Sequence, residues 1–241
     1  MTEKRAAKRA SYSSPAILAR RARILDLTRE LIAELGVAGF SVAEVSVRAG
    51  VAKQTIYNIF QTKERMVAAA ISEYFEEREQ QIHYASAPAT LERMIERSVI
   101  AGRAASQIPN YMSAMMAIYH ALDPDSEIWS AVQRATVHAH KAWIEALAEQ
   151  GQLQRWVKPE VLIDELALYR NAVILEWCRG EIDDDEWLLR TVTGCLMMMV
   201  GATREPVRAE ILAKLDELFA HGLPQYESPH YRPGPGHVRP A

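Results

Sequence analysis

The chain has 241 residues, 49% of them hydrophobic and 24% charged, with a net charge of −3, which is ordinary for a globular protein of one large or two modest domains. Its two cysteines, Cys178 and Cys195, have no metal-type spacing, and its longest uninterrupted apolar run, residues 195–200, is far too short to cross a bilayer. The basic N-terminus lacks the apolar segment of a signal peptide, so the cytoplasm is the expected compartment.

The charge is unevenly placed. Residues 1–66 carry 12 Lys and Arg against 6 Asp and Glu, while the rest carry 16 against 25. A basic head on an acidic body suits a nucleic-acid-binding domain joined to one that does not bind nucleic acid.

Residues 1–13 read as a flexible basic arm with Lys4, Arg5, Lys8 and Arg9, suited to phosphates or a minor groove and equally to a solvated tail. Ser14-Pro15 starts a helix with an apolar face of Ile24, Leu27, Leu31, Ile32 and Leu35, and Gly36 stops it. Arg20, Arg21 and Arg23 near its start are candidate phosphate contacts. Ser41 and Glu44 then form a capping box, and Gly50 supplies the left-handed turn that ends a short second helix. A third runs over about 53–60, and Thr62 caps a fourth with Glu64 in its first turn.

Over 53–60, Ile56 and Phe60 share one direction while Gln54 and Asn58 point away, flanked by Thr55 and Tyr57. Such a face can read base edges and hold phosphates in a major groove. Lys63 opposes the dipole of its own helix, which points to an external anion such as phosphate. A small helical hairpin with a solvated face has the same spacing.

The features Gly39, Phe40-Ser41, Val45, Arg48-Ala49-Gly50-Val51, Thr55-Ile56-Tyr57, Phe60 and Lys63-Glu64 resemble the DNA-binding domain of the TetR/AcrR family of transcriptional regulators. The resemblance covers about residues 20–70. It implies DNA contacts from Ser41, Arg48, Lys53, Gln54, Thr55, Tyr57, Asn58 and Lys63. Ala52 departs from the Ser-like cap usual there, weakening the helix by about 1 kcal/mol, and Ile59 departs from a common His.

The fourth helix extends to about residue 84, long enough to link head and body. Helices follow at about 88–106, 109–121, 124–150, 158–180, 184–202 and 205–221, with no alternating strand. Pro109, Pro124, Pro159 and Pro206 sit at their starts, and Gly151 and Gly180 end two. The expected fold is all-α: a helix-turn-helix head over 14–66, a helical body over 67–222, and a disordered Pro/Gly-rich tail over 223–241.

The body carries no catalytic motif and no metal set; His138 and His140 lie two apart and face different ways. No cofactor is expected. Met112, Met115, Met116 and Tyr119 on one helix, Trp129, His140 and Trp143 on the next, and Tyr169, Asn171 and Trp177 on the third, with Arg170 nearby, would suit an apolar ligand pocket. Stripes of this kind also simply fill cores. The resemblance implies a ligand cavity, and dimerisation through 158–180 and 184–202, for which Leu168, Leu175, Leu188, Leu189, Val192, Cys195, Leu196 and Met199 are the candidate residues. It therefore implies a homodimeric repressor that binds a palindromic operator in double-stranded DNA and is released by a small hydrophobic effector. A ligand-independent DNA-binding protein and an α-helical enzyme remain the alternatives.

Overall fold

A computed structural model describes residues 15–226, apart from the side chains of residues 137–139. The arm expected over 1–13 and the tail from 227 onward lie outside the described residues. The fold is all-α. Its helices are α1 (Pro15–Leu35), α2 (Val42–Ala49), α3 (Lys53–Phe60), α4 (Lys63–Gln81), α5 (Leu91–Ser106), α6 (Pro109–Tyr119), α7 (Ser126–Glu149), α8 (Pro159–Cys178), α9 (Asp184–Ala202) and α10 (Val207–His221). Each boundary lies within about three residues of the one expected from spacing, the usual uncertainty at helix ends.

Local chemistry sets most of these ends. The Ser41 hydroxyl accepts from Glu44 N, and Gly50 takes φ 65°, where a residue with a side chain would be strained, to close α2 onto α3. Thr62 and Thr90 cap α4 and α5 by accepting from Arg65 N and Arg93 N. Pro109 and Pro159 open α6 and α8. Two starts differ from expectation. Asp125 caps α7, leaving Pro124 outside the helix, and Pro206 precedes α10 rather than opening it.

Helices α1 to α3 pack around Ile24, Leu31, Ile32, Val45, Ile56 and Phe60, all buried. Leu35, expected on this face, is 46% exposed because α1 ends there. Helix α4 adds Met66, Val67, Ala70 and Ile71 to the same core before running on into the body. Its far half meets α6 through an edge-on contact of Tyr74 with Tyr111 at 5.4 Å. The head core therefore continues into the part of the body built on Met112, Met115, Met116 and Trp177. A second core, around Met94, Ile144, Leu166, Leu196 and Leu215, joins α5, α7, α8, α9 and α10.

Two anchors hold the loops. Glu96 is buried and accepts from Ala85 N at 2.8 Å and Ser86 N at 2.9 Å, pinning the α4–α5 turn. Burial works against its ionised form, but the Ser86 and backbone hydrogen bonds hold its pKa below the usual carboxylate value. The loop after α7 is tied to the end of α9 by a bridge between Leu153 and Thr203 and by Gln154 N donating to Ala202 O at 2.8 Å.

Candidate nucleic-acid interface and effector cavity

Helix α3 is held from behind and open in front. Ile56 and Phe60 are 1% and 6% exposed, whereas Lys53, Gln54, Tyr57 and Asn58 face solvent and Thr55 is half-buried at the edge. Gln54 donates to Asn58 Oδ1 at 3.0 Å, so two amides on successive turns share one orientation. Ala52 makes no side-chain cap. The first turn of α3 thus presents backbone N–H groups to solvent next to Lys53, a favourable place for a phosphate.

Other expected DNA contacts have partners within the head. Arg48 is shared between Glu34 at 2.8 Å and Glu44 at 3.3 Å, and Ser41 serves as the cap of α2. Arg21, a candidate phosphate contact, instead forms a two-bond pair with Glu73 of α4, both bonds 2.5 Å, and lies over the Phe60 ring. It ties α1 to α4. Arg20 and Arg23 are exposed.

Lys63 departs from the expectation set by its first-turn position. Its Nζ donates to Val37 O at 2.7 Å and Phe40 O at 2.5 Å and lies 4.5 Å from the centre of the Phe40 ring. In place of an external anion, two carbonyls of the α1–α2 turn meet the charge. Burial lowers the lysine pKa, partly offset by Glu64.

The body contains a cavity of about 640 Å³. Its walls come from the second half of α4 (Phe75, Arg78, Glu79), from α5 (Arg97, Ile100, Ala104), and from Ile108, Met112, Ala131, Arg170, Ile174, Trp187 and Thr191. It opens where lining residues such as Glu76, Gln81, Ala101 and Arg134 are exposed.

Of the residues expected to bind ligand, Met112 lines this cavity. The others are placed elsewhere. Met115 and Met116 are packed in the core, and Trp143 belongs to the second core. Tyr119 stacks on Trp129, ring centres 6.1 Å apart. Trp177 donates to Asp184 and packs against Trp187. The Tyr169 hydroxyl donates to Arg190 O at 3.0 Å, next to Gly194, where a Cβ would come within 2.0 Å of that oxygen. Asn171 is fully buried with neither amide atom hydrogen-bonded. The large side chains chiefly fill space between helices instead of forming pocket walls. The cavity wall instead mixes other apolar side chains, such as Phe75, Ile174 and Trp187, with the charged Arg97 and Arg170. Composition and periodicity do not single out Arg97 or Thr191 as lining residues. Arg170 is the one legible signal, a cation in the apolar middle of α8.

Residues 24–70 match the family model described as bacterial regulatory proteins, tetR family. The match spans the head, from within α1 to the first half of α4. No curated protein matches the chain as a relative. Among solved structures, full-length native TylP, a TetR regulator from Streptomyces fradiae, is similar over 88% of this chain and 100% of its own, at 14% identity and TM-score 0.61. SmeT, the repressor of the Stenotrophomonas maltophilia multidrug efflux pump SmeDEF, is similar over 78% of this chain and 92% of its own, at 17% identity and TM-score 0.58. SmeT in complex with triclosan is similar over 78% of this chain and 94% of its own, at 18% identity and TM-score 0.54. The described residues thus share the fold of these structures. Among the described residues, no helix is long and apolar enough to cross a membrane.

In this TetR-type fold, α8 and α9 divide their surfaces differently from the sequence expectation. Leu188, Val192, Cys195, Leu196 and Met199 are each at most 4% exposed, so they cannot meet a second copy. Leu188 packs against Gly102 of α5, and the other four lie in the core that α5 and α10 complete. The broad apolar face of α9 is covered inside the subunit. Val161, Leu168 and Met197, each about half exposed, point outward, with Leu175 and Leu189 half-buried beside them. Val161, Leu168 and Leu175 recur every seven residues and therefore share one side of α8.

His140 of α7 is buried beside Cys195 of α9, Nε2 to Sγ 3.8 Å. Burial, reinforced by Arg170 and Arg97, lowers its pKa from 6.5 to about 3. The imidazole is therefore neutral when folded. An unfolded chain would take up its proton first as pH falls, so stability drops from about pH 6.5 downward by about 1.4 kcal/mol for each pH unit crossed. Urea denaturation at a series of pH values should show this fall between about pH 6 and 4, and His140→Leu should flatten it. The remaining slope, below about pH 4.5, should belong to carboxylates such as Glu96.

Proposed function

We propose that this protein is a homodimeric transcriptional repressor that reads a palindromic operator and releases it when a small molecule enters the body. The observation that carries the proposal is the solvent-facing quartet Lys53, Gln54, Tyr57 and Asn58 on a helix fixed from behind by Ile56 and Phe60 in a TetR-type head. Lys53, Gln54 and Asn58 contact bases; Thr55 and Tyr57 contact phosphates. Two such heads related by a two-fold axis through α8 and α9 enter successive major grooves.

Helix α4 supplies the coupling. Met66 and Val67 lie in the head core, while Phe75, Arg78 and Glu79 of the same helix line the cavity. A ligand that favours one tilt of α4 changes the spacing between heads, provided that it binds the two states with different affinity. The complex of the structurally similar SmeT with triclosan supports a ligand role for this cavity and favours it over a body that only dimerises.

The test is fluorescence anisotropy with the DNA upstream of the protein's own coding region, across a salt series. Gln54→Ala should relax preference at particular base positions, with discrimination there falling by about 1–3 kcal/mol. Tyr57→Ala should weaken all sequences equally. Wild-type behaviour from both variants would remove α3 as the reading helix.

A further inference from the structure

We infer that the cavity takes an amphipathic acid, with its carboxylate against Arg170 and Thr191 and its apolar body along Phe75, Met112 and Ile174. This rests on the reading of the cavity as the effector site and replaces a wholly hydrophobic effector with an anionic one.

Arg170 projects from α8 into the cavity wall, and its partial exposure faces that cavity. Its Nε is buried without a hydrogen-bond partner, and no ion pair to Arg170 occurs among the described residues. The Thr191 hydroxyl, on α9 and also lining the cavity, is likewise buried and unpartnered. A partly buried guanidinium is best satisfied when a carboxylate faces it, since uncompensated charge in a site of reduced dielectric is costly.

The neighbouring groups do not provide that carboxylate. Arg97 of α5 is a second cation, and its own charge is met by Glu79 through bonds of 2.6 to 2.9 Å. His140 is neutral in the folded protein, for the reason already given. The Cys195 thiol is pushed up to about 12 by burial, so it stays protonated. The Arg170 side of the cavity is therefore left positive. A guanidinium fork accommodates a carboxylate through two parallel N–H donors, and the Thr191 hydroxyl can donate a third bond. An inorganic anion would satisfy these groups but leave the apolar walls unfilled. An apolar molecule without charge would fill the walls and leave the donors unsatisfied.

The experiment uses the full-length protein, with decanoate, 1-decanol and inorganic phosphate as probes, read by isothermal titration and by displacement of neutral Nile red. Decanoate should bind wild type more tightly than decanol. Arg170→Met should weaken decanoate about tenfold or more while changing decanol less than about twofold. The ligand-free variant should melt no lower than wild type, because the replacement removes a partly buried charge without an ion-pair partner among the described residues. If Arg170→Met does not fold, Arg170 has an internal role and the inference fails unless Thr191→Val weakens decanoate by about threefold with decanol unchanged. Equal binding of decanol and decanoate, or decanoate binding unchanged in Arg170→Met, refutes the acid and leaves the effector site standing. Phosphate competing as well as decanoate overturns the amphipathic acid in favour of an inorganic anion. Absence of binding by decanoate, decanol and Nile red alike removes the effector site itself.

Discussion

Met197→Glu is expected to leave the subunit folded but convert the protein to monomers in sedimentation velocity, with operator affinity falling by about a hundredfold or more. Met197 is 54% exposed on α9, so its replacement should change subunit stability by at most about 0.5 kcal/mol. On the proposed α8–α9 interface, a glutamate there would bring a charge against an apolar surface and desolvate it. Leu196→Ala, one residue away, should do the reverse. Leu196 is fully buried among α5, α8 and α10, so its truncation should cost about 2–5 kcal/mol of stability, and the folded fraction should still be dimeric. A dimer that survives Met197→Glu would show that the outward faces of α8 and α9 are not the interface. Dissociation by Leu196→Ala with stability unchanged would return the interface to the inner face.

Lys63→Met is expected to destabilise the protein by about 1–2 kcal/mol in urea denaturation, because two carbonyls of the α1–α2 turn are deprived of a charged donor. Methionine keeps the length of the side chain and its packing on the Phe40 ring, so the effect isolates the hydrogen bonds. Operator binding should weaken through a looser head, yet the slope of affinity against salt should match wild type. A slope shallower by about one would make Lys63 a direct phosphate contact after all. One salt series thus separates the two roles of this residue. Lys53→Met provides the contrast: it is exposed at the start of α3, so its loss should weaken operator binding at little cost to stability.

The head is legible in sequence because its signals are local. Ser41, Gly50 and Thr62 set helix ends through bonds spanning three to five residues, and each is found where its residue type suggests. The same applies to α3, where the helical period alone separates Ile56 and Phe60 from Gln54 and Asn58 without help from the rest of the chain. Lys63 shows where local reasoning stops, because its partners, Val37 and Phe40, lie 26 and 23 residues away. Arg21 is the same kind of case: Glu73 is 52 residues distant, and an arginine near the start of a basic helix gives no sign of it.

The body shows the limit most clearly. Helices α8 and α9 are apolar on more than one side, so their periodicity states that they are surrounded without stating by what. Leu196 and Met197 are adjacent and similar in size and hydrophobicity, yet one is at 0% exposure in the subunit core and the other at 54% on the outer face. Likewise Met112 borders the cavity while Met115 and Met116, on the same helix, fill the core. By itself the sequence determined the helices, their ends, the outward face of α3 and the basic character of the head, because hydrogen-bond range and helical period act within a few residues. Only the tertiary structure decided which apolar face meets α5 and α10, where a cavity is left, and that Arg170 borders it without a counter-ion among the described residues. Those outcomes depend on which distant helices pack together and how completely they fill the space between them.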